Sequence, residues 1–445
     1  MRTLLTVAGM LSKGGSPAER VRARLMAVGA GLATWFLFGA ANVLALRGRL
    51  DDRFGPIGDP GTRDGTAFGI ALLLLPVAAF LYQSARLAAA DRERRLAALR
   101  LAGATPREVR LLGAAEVTRA AALGTVVGAA AYLVPQLAAR RTLAPGSRAD
   151  VAVPPLWCLA AMAIVIVAAA LSGLLAGRHV IATPLGVTRR AGRGRPRWYG
   201  LLLLVPPCLA PVYRPLAGAA GQGFIVAARP VLQISVLLLP VGLMLSTGWV
   251  IWYSARWVGR RARSAETLLA ARALEADARP WGRTLAVVAL TVAIGSGTGL
   301  IEADVMMDRG RLEPFWMTSF ALVSLALFVG ILVTTAALLV HQAESLLDRG
   351  PMLAELRAIG AHERELRRLL TRQALIATVP VCGLTVVGTL ICTWPTVTFG
   401  SAWMAWTVAH ALLMGALGVL AAVLVTAASR RRLRRAIVPE RLRAE

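Results

Sequence analysis

Long apolar runs alternate with short arginine-rich stretches along the whole chain. About 20 apolar residues in a helix cross a ~30 Å hydrocarbon core. Runs of that kind fall near 25–46, 66–88, 112–137, 155–177, 199–214, 230–253, 284–304, 317–340, 373–392 and 405–428. The pattern predicts an all-α integral membrane protein of about ten spans. The fifth run is the weakest, being short and carrying Pro206, Pro207 and Pro211. The first is too long for a signal-peptide core and follows a basic leader, so an uncleaved signal anchor is expected.

The cations give these spans an orientation, because Lys and Arg accumulate on the cytoplasmic side. Taking alternate loops, 38 of the 50 cations fall on one face and 11 on the other, with Arg119 inside the third span. A crossing fifth span keeps the basic stretches 178–197 and 256–283 on the same face. Ten spans with both termini on the cytoplasmic side follow. The opposite loops are short, the longest being about 47–65, which leaves no room for a soluble domain.

Composition agrees and removes other classes. Of 445 residues, 57% are hydrophobic and 17% charged, with a formal net charge of +26. Nearly all of that charge is arginine: Lys13 is the one lysine. A basic balance alone would suggest nucleic acid, but the arginines are interleaved with membrane spans, so no nucleic-acid partner is expected. Cys158, Cys208, Cys382 and Cys392 lie in or beside apolar runs without metal or redox spacing and read as packing residues.

The chain also contains a repeat. Residues 96–112 read LAALRLAGATPREVRLL and residues 353–369 read LAELRAIGAHERELRRL, ten identities in seventeen positions at an offset of 257. In each copy apolar positions mark one face of a charged helix. Gly103 and Gly360 then stand where a helix end needs a left-handed residue. Thr105-Pro106-Arg107-Glu108 restarts the chain as a capping box with proline at the first helical position. His362 and Glu365 take the same places in the second copy, as a weaker cap. Each copy is read as a helix, a tight break and a second helix entering the next span. Short amphipathic segments near 3–11 and 266–275 precede the first span of each half. The organisation read from this is a four-span unit over 1–198 with segment 91–111, two linking spans over 199–255, and a second four-span unit over 256–445 with segment 342–370. Halves of equal orientation are related by an axis along the membrane normal.

The duplicated LRxxGAxxRE stretch, placed after the second span of each unit, resembles the cytoplasmic signature of FtsX-like permeases, the MacB-type class of ABC transporter. The four-two-four order is similar to the bacitracin-efflux branch, in which one polypeptide supplies both halves. The resemblance implies two coupling segments that dock on two copies of a separate ATP-binding cassette ATPase, which would bind the ATP and magnesium. It assigns that contact to Leu99, Arg100, Gly103, Ala104, Thr105, Arg107 and Glu108, and to Leu356, Arg357, Gly360, Ala361, His362, Arg364 and Glu365. The chain departs from the family in lacking a sizeable extracytoplasmic domain at 47–65 or 305–316. A hydrophobic or amphipathic cargo, such as a lipid or membrane-active peptide, is therefore expected, exported or extracted from the bilayer. The rival readings are a signal relay that moves nothing and an ion-coupled transporter.

No catalytic motif competes. A P-loop needs a lysine that reaches the phosphates, and Lys13 in Leu-Ser-Lys-Gly-Gly does not fit. His362-Glu363 opens like a zinc-protease motif, but residue 366 is Leu. The scattered histidines suggest no metal site. Four ionisable residues in or near spans are candidates for function. Glu116 and Arg119, three apart, have the spacing of a helical pair. Glu302 and Asp304, with Asp308 beyond, mark the outer end of the seventh span, as a solvated helix end or an acidic mouth. Glycine pairs at 124/128, 173/177 and 295/299 predict close helix approach.

Overall fold

The computed structural model describes residues 17–47, 56–86 except 59, 103–142, 153–182, 196, 198–209, 222–309, 314–348, 355, 357, 359–393 and 401–428. Among them there is no strand, so the chain is an all-α membrane protein. Two compact units form, Met1–Ala191 and Gly192–Glu445.

The first unit contains α1 (Pro17–Ala45), α2 (Arg63–Leu72), α3 (Leu74–Arg86), α4 (Pro106–Thr142) and α5 (Pro155–Ala182). The expected second span is the pair α2 and α3, interrupted at Leu73. Pro76 explains the break: it lacks an N–H, and its ring clashes with the carbonyl of Leu72 four residues back. Helices α1 and α4 meet along a seam of small residues. A Cβ on Gly124 would stand 1.9 Å from the carbonyl oxygen of Ala27, and one on Gly128 would stand 2.2 Å from that of Gly31. The two backbones therefore touch, as the 124/128 spacing predicts. Farther along, Phe38, Ala129 and Ala161 are buried together, and Asn42 Nδ2 donates to the Tyr132 hydroxyl at 2.9 Å. Arg63, counted above with the outward cations, is buried. It donates to the carbonyls of Ile57, Leu46 and Gly58 at 2.9–3.1 Å, which ties the loop to the start of α2.

The second unit opens with a 3-10 turn (Tyr199–Leu204) and the short α6 (Val205–Cys208). It continues through α7 (Gln222–Arg260), α8 (Ala265–Ala276), α9 (Ala278–Arg309), α10 (Pro314–Asp348), α11 (Glu363–Thr393) and α12 (Ser401–Ala428). Helix α8 is the expected amphipathic segment; its counterpart at 3–11 lies outside the described residues. Ile251, Leu274, Trp281, Leu285, Leu338 and Val381 build the core where α7 to α11 converge. Thr247 Oγ1 donates to the carbonyl of Gly282 at 2.8 Å, and a Cβ on Gly282 would lie 2.6 Å from Gly248 Cα. Glycine on both sides allows this close crossing of α7 and α9. The 295/299 pair behaves differently: Gly295 faces Met414 and Gly299 faces His410, so these glycines make room for side chains.

Among the described residues, seven helices have the length and apolarity to cross a membrane: α1, α4, α5, α9, α10, α11 and α12. The remaining expected spans are the interrupted α2–α3 pair, the 39-residue α7, and the 199–214 run. The described part of that last run, Tyr199–Leu209, rises about 18 Å, short of a ~30 Å core. Large apolar side chains face outward on the long helices, among them Leu156, Ile164, Phe328 and Leu412. In water such a surface would drive association; in a bilayer it is the contact with lipid.

Candidate functional site

Both repeat copies contain the same backbone device. Gly103 has φ +98° and Gly360 has φ +111°, the two positive-φ glycines among the described residues. Among the described residues beyond the chain neighbours, no atom lies within 4 Å of where a Cβ would stand on either, and the positive φ by itself favours glycine. In the second copy the Gly360 N–H donates to the Arg357 carbonyl at 3.0 Å, closing the turn.

After the first break, α4 starts with a complete capping box. The Thr105 backbone N–H and hydroxyl donate to Glu108 Oε2 at 2.8 and 2.9 Å, and the Glu108 N–H returns to Thr105 Oγ1 at 3.3 Å. These donors hold the Glu108 carboxyl below its ordinary pKa, the backbone bond contributing most. After the second break the His362 N–H donates to Glu365 Oε2 at 2.9 Å. Without a hydroxyl at 362 the reciprocal bond is missing, as expected from sequence.

The remaining assigned residues surround these turns. Gly103, Thr105, Arg107, Arg357, Gly360, His362, Arg364 and Glu365 are exposed, while Ala104, Glu108 and Ala361 are half-buried. Leu99, Arg100 and Leu356 lie outside the described residues. Ile359, not singled out from sequence, is 85% exposed immediately before Gly360.

Each helix that follows a break is then fastened to the entry element of its own unit. In the first unit Arg22 Nη2 of α1 reaches Glu116 Oε2 of α4 at 3.1 Å, with side-chain exposures of 6% and 14%. Arg119 is exposed on the same helix. The i,i+3 spacing identified the carboxylate but not this partner on another helix. In the second unit Arg372 of α11 reaches the N-terminus of α8. It donates to Ser264 Oγ and to Thr267 Oγ1, and lies 2.8 Å from Glu266 Oε2. Arg368 stands 3.7 Å from the same carboxylate. Ser264 also caps α8 by accepting from the Thr267 N–H. The polarity of the fastening is reversed: the helix after the break contributes the carboxylate in one unit and the arginine in the other.

Of the outer acidic residues, Glu302 pairs with His410 of α12 at 3.9 Å, both less than a quarter exposed. The backbone of Asp304 lies within α9, and its side chain is outside the described set. No group of three or more potential metal ligands occurs among the described residues.

A family model described as FtsX-like permease C-terminal matches residues 67–185 and again residues 320–436, together more than half of the chain. Each match encloses one of the two glycine breaks. No curated protein matches the chain.

Proposed function

The chain belongs to the FtsX-like permease family, and from that premise we propose that it supplies both permease halves of an ABC-type system, served by two copies of a separate ATPase. The family makes it a multi-pass membrane subunit rather than an enzyme. The reading adds that each ATPase copy seats on one glycine break. Binding and release of ATP and magnesium in the partner would then tilt α4 and α11, and the fastenings at Glu116 and Arg372 would pass that tilt to α1 and α8. The single observation behind this is the recurrence, 257 residues apart, of the same positive-φ turn and cap on a helix tied to the entry of its unit.

The cargo in this reading is a lipid or other amphipathic molecule taken from the bilayer and exported. Its support is the outward apolar surface and the brevity of the loops between spans. The decisive experiment reconstitutes the chain with its ATPase in proteoliposomes. ATP-dependent movement of a fluorescent lipid or amphipathic peptide is expected. ATPase stimulation without movement of any such probe would favour a relay that only transmits a conformational signal. Absence of any complex with an ATP-binding cassette subunit would remove the proposal altogether.

A further inference from the structure

The junction of α7 and α8 carries four arginines that the coupling reading does not use: Arg256, Arg260, Arg261 and Arg263. None of them makes an ion pair among the described residues, and Arg260, Arg261 and Arg263 are exposed. The neighbouring acids are engaged elsewhere, Glu266 by Arg372 and Arg368, and Glu275 by Arg272 at 2.7 Å. This leaves a cluster of positive charge without a counter-ion.

The cluster lies at a definite depth. No charged residue falls between Arg229 and Arg256 in α7, a rise of about 40 Å at 1.5 Å per residue. That matches the ~40–45 Å thickness of a bilayer with its headgroups, so Arg256 emerges at headgroup level. Tryptophan and tyrosine mark the same level, as they do at membrane interfaces. Trp249 and Tyr253 stack with centroids 5.1 Å apart, and the exposed Trp257 follows four residues on.

Two guanidinium groups are held on indole faces. The Arg261 Cζ is 4.2 Å from the centre of the Trp257 ring, and the Arg256 Cζ is 5.4 Å from that of Trp252. Stacking limits the rotation of each planar fork and leaves its edge N–H groups for an anion. Leu268 and Leu269, both about two-fifths exposed at the start of α8, add apolar surface beside the charge.

We infer that the α7–α8 junction is a binding site for the headgroup of an anionic phospholipid. The arginine forks take the phosphate, and Tyr253, Trp257, Leu268 and Leu269 take the upper acyl chain. The phosphate matches bidentate donors, and the exposed apolar side chains distinguish a lipid from a soluble anion.

Native mass spectrometry of the detergent-solubilised chain, titrated with phosphatidylglycerol or phosphatidylcholine, tests this. Wild type should retain at least one phosphatidylglycerol and prefer it to phosphatidylcholine. The variant R256K/R260K/R261K keeps every charge and hence the topology signal, but loses the stacked forks; its apparent affinity should fall about tenfold. R20Q/R24Q removes two exposed arginines from α1 and serves as the control; it should leave the site occupied. Equal retention by the lysine variant, an equal loss in the control, or displacement of the lipid by millimolar inorganic phosphate would each overturn the inference. A loss confined to the lysine variant, with an unchanged melting temperature, supports it.

Discussion

Arg22 and Glu116 are 94 residues apart in sequence, yet their side chains meet at 3.1 Å, both largely shielded from water. Removing one partner strands the other charge, which costs about 3–5 kcal/mol for a buried pair. The substitution Glu116→Gln should therefore lower the melting temperature of the chain. Exchanging the two charges, Arg22→Glu with Glu116→Arg, should recover much of that loss. A double variant no more stable than the two single ones would show that the pair contributes little. In the complex with ATPase, Glu116→Gln should also weaken the link between hydrolysis and movement of α1.

The counterpart in the second unit is Arg372. Its fork spans Ser264, Thr267 and Glu266, so lysine, with a single ammonium, cannot reproduce it. Arg372→Lys should loosen the N-terminus of α8, seen as faster amide exchange at Thr267, while α12 is unaffected. Protection of Thr267 equal to wild type would argue against the fastening.

Gly103 and Gly360 allow a cleaner experiment, because a Cβ at either meets no atom of the described residues beyond its chain neighbours. Replacement by alanine costs only backbone strain, about 1–3 kcal/mol for a residue held at such a φ. Valine, being β-branched, should cost more than alanine. If the turns seat an ATPase, either single substitution should halve the ATPase response or worse, and both together should abolish it. A full response in the double valine variant would sink the assignment.

The capping box gives a dependence on pH with a definite sign. Glu108 is held below its ordinary pKa by donors from Thr105. Its contribution is present above the unfolded value and is lost as pH falls through the lowered folded value. Amide exchange at Thr105, Arg107 and Glu108, corrected for intrinsic rates, should show a fraying α4 N-terminus only below the ordinary carboxylate range. Thr105→Ala should produce the fraying at neutral pH, at a cost of about 1 kcal/mol.

The α1–α4 seam leads to a fifth expectation, about packing. Gly124→Val places new atoms against the Ala27 backbone, which has no side chain to rotate away. The helices must separate, at a cost of about 1–3 kcal/mol or more. The same change at Gly297, which faces open space, should cost much less. Differential scanning fluorimetry of the two variants checks the contrast.

These features differ in how far they could be read from the sequence. Span positions follow from hydropathy, and the Thr105–Glu108 cap follows from local spacing, since both partners lie within one helical turn. The glycine breaks were legible because the repeat aligns them. Arg22, Arg372 and Glu266 were not, because nothing local marks which of many arginines meets a distant carboxylate. The interruption at Leu73 had a signal in Pro76, masked by an otherwise continuous apolar run. The Glu302–His410 contact depends on Gly299 leaving room for the imidazole, a relation across two helices that neither residue announces alone.

The α1–α4 seam also has a mechanical meaning. Where two backbones touch without side chains between them, sliding by one turn would require the helices to part first. The pair therefore behaves as one welded beam, pinned near its foot by Arg22 and Glu116. Helix α4 is about 55 Å long at 1.5 Å per residue. A small rotation at Gly103 would thus reappear as a larger sweep along α4, up to the proline at Pro135.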